Sequence, residues 1–238
     1  MQFYEENNQN DFNNMNQNNT VVREVNNSMV AKTFLWMFAG LFITGIIALT
    51  LYRTGTYVNI LLSNMYYGLL IAELAVVLLF SFLFRKMPAW LVGTLFFAYS
   101  ILNGINMCWI FALYELSSIE LIFFETALVF AVLSILGFTS KVDLTRFSTF
   151  LVVGLIVGII FSIINIFIGS SVLDLILTWA MLILFFAITM YDMQRLKIVS
   201  ETEVADRDKL EIYFAMQIYL DFINIFIRLL RLFGKRNS

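Results

Sequence analysis

Between Phe34 and Phe233 the chain is a succession of apolar runs, each about as long as the 20 residues an α-helix needs to cross the hydrocarbon core of a bilayer. A backbone placed in hydrocarbon must satisfy its own hydrogen bonds, so these runs leave helices as the only secondary structure open to them. The spans fall at 34–51, 67–84, 90–113, 119–138, 148–168, 172–197 and 209–233. Composition agrees, since 61% of the residues are apolar, only 13% are charged and a single proline is present. The chain is therefore an all-α, multi-pass membrane protein, with 238 residues leaving room for one bundle and no second folded domain.

Ahead of the first span, residues 1–28 are crowded with asparagine and carry no helical apolar stripe, which predicts a disordered tail followed by a membrane domain over 29–238. The tail lacks the basic start, short apolar centre and small-residue cleavage site of a secretory signal, so the first span is expected to be retained. Basic residues set the orientation. Arg23, Lys32, Arg85, Lys86, Lys141, Arg146, Arg195, Lys197, Arg207 and Lys209 share one side and Arg53 lies on the other, which predicts a cytoplasmic N-terminus. Arg228, Arg231, Lys235 and Arg236 run against this rule if the last segment crosses. Either that segment spans, which its length favours, or it re-enters and returns the C-terminus to the cytoplasm.

Several chemistries are excluded at once. Histidine is absent, which removes serine–histidine catalysis, the HExxH motif and histidine-ligated metal, and the lone Cys108 allows no intrachain disulfide. A net charge of −2 gives no sign of a nucleic-acid partner, and no cofactor motif is present. What remains is a set of charges inside the spans. Asp192 and Asp221 lie in the last two, where an uncompensated carboxylate costs roughly 2.5 to 3.5 kcal/mol, so both need a partner or a role. If the two helices form an antiparallel hairpin around Glu201–Asp208, the aspartates face each other at similar depth, about 10 to 18 Å from the cytoplasmic end. Two carboxylates held together in a low dielectric share a proton and titrate as a pair. Protonated, they fasten the helices. Ionised, they repel and offer oxygen ligands to a hard cation such as Ca²⁺.

Other polar residues extend the site. Gln217, Asp221, Asn224 and Arg228 lie at i−4, i, i+3 and i+7 on one stripe of the last helix. Glu73, in the second span, must turn to the bundle interior, either as an interhelical hydrogen-bonding acid or as part of an ion path. Arg85 and Lys86 end that span, as topology charges at the headgroups or as a gate. Gly154 and Gly158 form a small-xxx-small packing face.

The run Tyr219-Leu220-Asp221-Phe222-Ile223-Asn224-Ile225-Phe226-Ile227-Arg228-Leu229-Leu230-Arg231-Leu232-Phe233-Gly234 resembles the C-terminal signature of the Bax inhibitor family. Tyr191-Asp192 with Gln194 is similar to that family's sixth-helix motif, and Gly137-Phe138-Thr139-Ser140-Lys141-Val142-Asp143-Leu144 to its loop after the fourth helix. The resemblance extends from Thr33 to Gly234. It implies six helices surrounding a central seventh, and a pH-sensitive Ca²⁺ leak gated by the pair Asp192 and Asp221. Separately, the richness in Ile, Phe and Asn with no recognisable sorting signal suggests a bacterial plasma membrane. A gating arginine carries over to Arg85, with Lys86 as the alternative. Two other readings stand beside the leak: a scaffold that modulates another membrane complex such as a protease, and an intramembrane aspartyl protease. The protease reading is weakened because its second aspartate sits in a Gly-x-Gly-Asp turn, whereas Ile218-Tyr219-Leu220 precedes Asp221. The expectation is thus of a protein that is not an enzyme.

Overall fold

A computed structural model describes residues 28–60, 62–63, 68–84, 86–202 and 205–237. The expected tail over 1–28 lies outside the described residues except for Ser28. Among them the chain is helical, with α1 described from Ser28 to Arg53, α2 (Thr56–Leu62), α3 (Met65–Leu83), α4 (Ala89–Met107), α5 (Trp109–Leu113), α6 (Leu116–Thr139), α7 (Ser148–Ile168), α8 (Ser171–Ser200) and α9 (Arg207–Phe233). Six stretches are long and apolar enough to cross a membrane, with α4 and α5 counting as one, and α3 supplies a shorter apolar helix. Together they make the seven expected crossings. Two details were not foreseen: α2 precedes α3, and the third crossing is interrupted at Cys108 between α4 and α5.

The bundle is organised from α9 outward. Some 67% of its most apolar stretch is buried, against 6% for α7. It packs directly on α1, α4, α6 and α8, while α3 lies against α4 and α7 against α8. Large apolar side chains such as Phe38, Phe42, Phe124 and Phe167 point outward, as a hydrocarbon solvent requires. Inside, close approaches rest on glycine. A Cβ on Gly104 would lie 2.8 Å from the Thr44 carbonyl oxygen, and one on Gly137 or Gly158 would run into Met190 or Met181 of α8. The small-xxx-small face of α7 is thus a packing face, with Gly154 against Leu184 and Gly158 against Met181.

The last segment crosses. Unbroken over 27 residues, α9 delivers the C-terminus to the end of the bundle opposite the α8–α9 turn. There Glu115 and Lys235 join through a main-chain hydrogen bond and a 2.7 Å ion pair, the Asn237 amide donates to the Leu113 carbonyl, and Tyr114 and Arg236 form an isolated bridge. We call this the far end, and the end where α1 and α9 begin the near end. The near end is tied by Lys32 of α1, 3.4 Å from Glu211 and 3.6 Å from Asp208 of α9. The basic C-terminus that opposed a crossing has acidic partners: Lys235 pairs with Glu115, and Arg231 lies 3.5 Å from Asp174 at the start of α8.

Candidate functional site

Helix α8 begins with the Ser170 hydroxyl accepting from the Leu173 amide, then runs to Ser200 without a break. Asp192 lies eight residues before that end, or about 12 Å along the axis. Asp221 lies fourteen residues after Arg207, about 21 Å into α9, deeper than the 10 to 18 Å expected from the sequence. The two are nonetheless brought together. Both line one cavity of about 490 Å³ between α7, α8 and α9, and they lie close enough to feel each other's charge. Asp192 is 5% exposed and Asp221 3%. Thr189, one turn before Asp192 on α8, places its hydroxyl beside the Asp221 carboxyl while donating to the Phe185 carbonyl at 2.8 Å. Asp221 Oδ2 is buried with no hydrogen-bond partner.

The rest of the expected stripe lines the same cavity. Gln217, Asn224 and Arg228 all face it, opposite Leu151, Val152, Leu155 and Ile159 of α7. One wall is therefore polar and the other aliphatic. Gln217 Oε1 and Arg228 Nε are both buried and unpartnered, and Asn224 turns its amide nitrogen back to the Leu220 carbonyl at 2.9 Å. Gln217 lines the cavity, and its Oε1 accepts no hydrogen bond from a neighbouring helix. Arg195, three residues after Asp192, lines the cavity too and is the cation acting on Asp192. Its guanidinium carbon lies 5.5 Å from the Tyr191 ring centre and 5.8 Å from that of Phe214, both within cation–π range. Sequence reading treated Arg195 as a topology charge, although the i, i+3 spacing from Asp192 marks it as a neighbour on the same helix face.

Glu73 is not in this cavity. Asn106 of α4 donates to Glu73 Oε2 at 2.5 Å, with Tyr99 beside it, and Asn103 donates to the Tyr99 hydroxyl at 3.3 Å. That group faces Tyr219, which shares a 2.6 Å hydrogen bond with Thr44. Two residues apart on a helix means roughly 200° of rotation, so Tyr219 and Asp221 look to different sides of α9. The central helix therefore separates two buried polar seams, one around Glu73 and Tyr99, the other around the aspartates. Lys86 is exposed and does not reach the cavity, and the Arg85 side chain lies outside the described residues.

The loop motif and the sixth-helix motif meet. Gln194 Oε1 accepts from the Leu144 amide at 2.7 Å, and its Nε2 donates to the Val142 carbonyl at 2.8 Å, clasping the α6–α7 connection against α8. Asp143 in that loop accepts from the Thr145 hydroxyl and amide and from Arg146, and the Thr145 hydroxyl first among these holds its carboxyl below the usual range.

The chain is similar to known proteins along most of its length. The family described as "Inhibitor of apoptosis-promoting Bax1" matches residues 26–238. The inner membrane protein YbhL of Escherichia coli K12 is 36% identical over 214 residues, covering 87% of this chain and 91% of its own. An uncharacterized protein of Borreliella burgdorferi is 31% identical over 221 residues, covering 90% and 94%, and an uncharacterized membrane protein of Streptococcus pyogenes serotype M1 is 34% identical over 174 residues, covering 72% and 75%. With six crossings around a central seventh, the C-terminal helix, the chain belongs to the Bax inhibitor family.

Proposed function

We propose that this protein is a pH-sensitive cation leak with Ca²⁺ as its cargo, gated by Asp192 and Asp221, and that it is not an enzyme. The observation that carries this reading is the unpaired oxygen: Asp221 Oδ2 is buried and unpartnered, and Asp221 lines the same cavity as Asp192. A buried carboxylate oxygen without a donor is costly unless a proton or a cation visits it. While a proton is shared, the pair fastens α8 to α9. Once both are ionised, repulsion loosens that contact, and the two carboxylates with Gln217 Oε1 present hard oxygen ligands to a divalent cation. Arg195 at the near side of the pair offers a competing positive charge.

Packing before Asp221 favours the leak over a protease. Ile218 and Tyr219 are 0% exposed, so no substrate strand has room beside that backbone. The plasma membrane with a cytoplasmic N-terminus is the setting we assign. It rests on the distribution of basic residues, and the Escherichia coli relative is named an inner membrane protein.

The test is Ca²⁺ flux into proteoliposomes across a pH series, for the parent chain and for Asp192→Asn and Asp221→Asn, with Mg²⁺ or Na⁺ as competing cargo. Removing either carboxylate should abolish the pH dependence. An absence of flux in the parent, or an unchanged pH profile in both variants, refutes the leak and leaves a scaffold that modulates another membrane complex.

A further inference from the structure

Arg228 has no assigned task in the scheme above, yet its surroundings are specific. It stands on the Asp221 stripe of α9, seven residues and so about 10.5 Å closer to the far end, and lines the same cavity. The next arginine, Arg231, meets a carboxylate at the helix end, 3.5 Å away on Asp174. Arg228 is half-buried and its Nε has no partner. Its guanidinium feels Arg231 and Asp174 at the far end, and the cavity it lines runs on from there to Asp221. The charges acting on it are Arg231 on its own helix and Asp174 on α8, while Asp192, Asp221 and Arg195 line the cavity farther in. From α7 the cavity receives only Ser148 and aliphatic side chains, which carry no charge. A guanidinium does not lose its proton in a protein, so a fixed positive charge stands between the aspartates and the far face.

We propose that Arg228 closes the far end of the Asp192–Asp221 cavity as a tethered counter-cation, and that a permeating cation passes when the guanidinium swings outward to Asp174. The cation in this statement rests on the leak reading. The closure itself does not, because it concerns access to a cavity. Arg228 and the cargo compete for the same carboxylates, so the side chain sets both the resting closure and the preference for a divalent over a monovalent ion.

The experiment uses the full chain with Cys108→Ala, a position that is buried at 0% exposure, and Asn224→Cys as a reporter one turn below Arg228. A positively charged, membrane-impermeant methanethiosulfonate reagent is applied to sealed vesicles from the far face, with a neutral reagent of similar size in parallel. Arg228→Gln should raise the cationic labelling rate by about tenfold or more relative to the neutral one, the scale on which a charged cleft alters the local concentration of ions. Arg228→Lys should keep the parent's protection. Arg228→Met, which retains an apolar stem, stands in if the glutamine variant is not recovered folded. Equal labelling in the parent and the uncharged variants overturns the closure. Ca²⁺ flux on the same variants separates the two ideas: faster labelling with no flux in the parent upholds the closure and refutes the leak, whereas a leaking parent with unchanged labelling and flux in Arg228→Gln refutes the closure alone.

Discussion

Gly137 of α6 meets the main chain of Met190 on α8 so closely that a Cβ at Gly137 would overlap the Met190 carbonyl. Met190 is two residues before Asp192, so this contact fixes the depth and rotation of the helix that carries one half of the pair. Backbone offers little room to yield. Gly137→Ala should lower stability by about 1 to 3 kcal/mol, the cost of overpacking an interior contact. The midpoint of thermal unfolding in detergent checks this, and an unchanged midpoint would show that α6 and α8 can slide apart freely.

Gln194 holds the α6–α7 connection with two hydrogen bonds to the main chain of Val142 and Leu144. Replacing it by alanine removes both bonds from a loop in which Val142 is exposed and Leu144 half-buried, at about 1 kcal/mol for each bond. Limited trypsin digestion should then cut faster after Lys141 and Arg146 in Gln194→Ala than in the parent. Equal rates would mean that the loop is held by other contacts.

Tyr219 is fully buried and its hydroxyl bonds Thr44, whose own proton goes to the Ser100 carbonyl at 2.9 Å. Thr44→Val keeps the shape and removes both hydrogen bonds, so the loss should be about 1 to 3 kcal/mol. Thr44→Ser should lose less. The contrast between these two variants in thermal unfolding isolates the hydroxyl from the packing.

Asp143 should make the α6–α7 loop sensitive to acid. Its carboxyl is held below its ordinary value of 3.8, chiefly by the Thr145 hydroxyl, so its contribution to order in the loop is complete above that value and is lost as pH falls through the lower folded one. Hydrogen exchange at the Thr145 and Arg146 amides, corrected for intrinsic rates, should accelerate only in that acidic window. Asp143→Asn should remove the acceleration.

At the far end, Glu115→Gln should cost about 1 kcal/mol or less, because the Lys235 side chain of the pair is largely exposed. Removing residues 235–238 should cost more. That deletion also takes away the Lys235 amide donated to Ser118, its carbonyl accepting from the Glu115 amide, and the Asn237 contacts to Ala112, Leu113 and Tyr114. Comparing the two unfolding midpoints tests whether the main-chain bridge, rather than the ion pair, anchors the C-terminus.

The aspartate pair was legible because charge inside an apolar run is rare and the acidic stretch at 201–208 fixed a hairpin. The crossings were legible for the same reason, length and apolarity being the requirements the bilayer itself imposes. Direction around an axis was harder to read. Glu73 was grouped with the aspartates because both are buried acids, but only packing showed that α9 stands between them. The basic C-terminus argued against a crossing because a charge count ignores neighbours, and Glu115 and Asp174, distant in sequence, become partners only in the fold. The break at Cys108 had no proline or glycine beside it to announce it.

Pinned at both ends, α9 behaves as a fixed axle. Glu211 and Asp208 hold its start to Lys32, and the bridge around Tyr114 and Arg236 holds its finish, so pistoning along the membrane normal would break contacts at both faces together. By contrast α7, packed on α8 and with only 6% of its most apolar stretch buried, is held from one side. Helix α7 forms the aliphatic wall of the aspartate cavity, so that wall is a rim, carried by α8, and α9 is the hub.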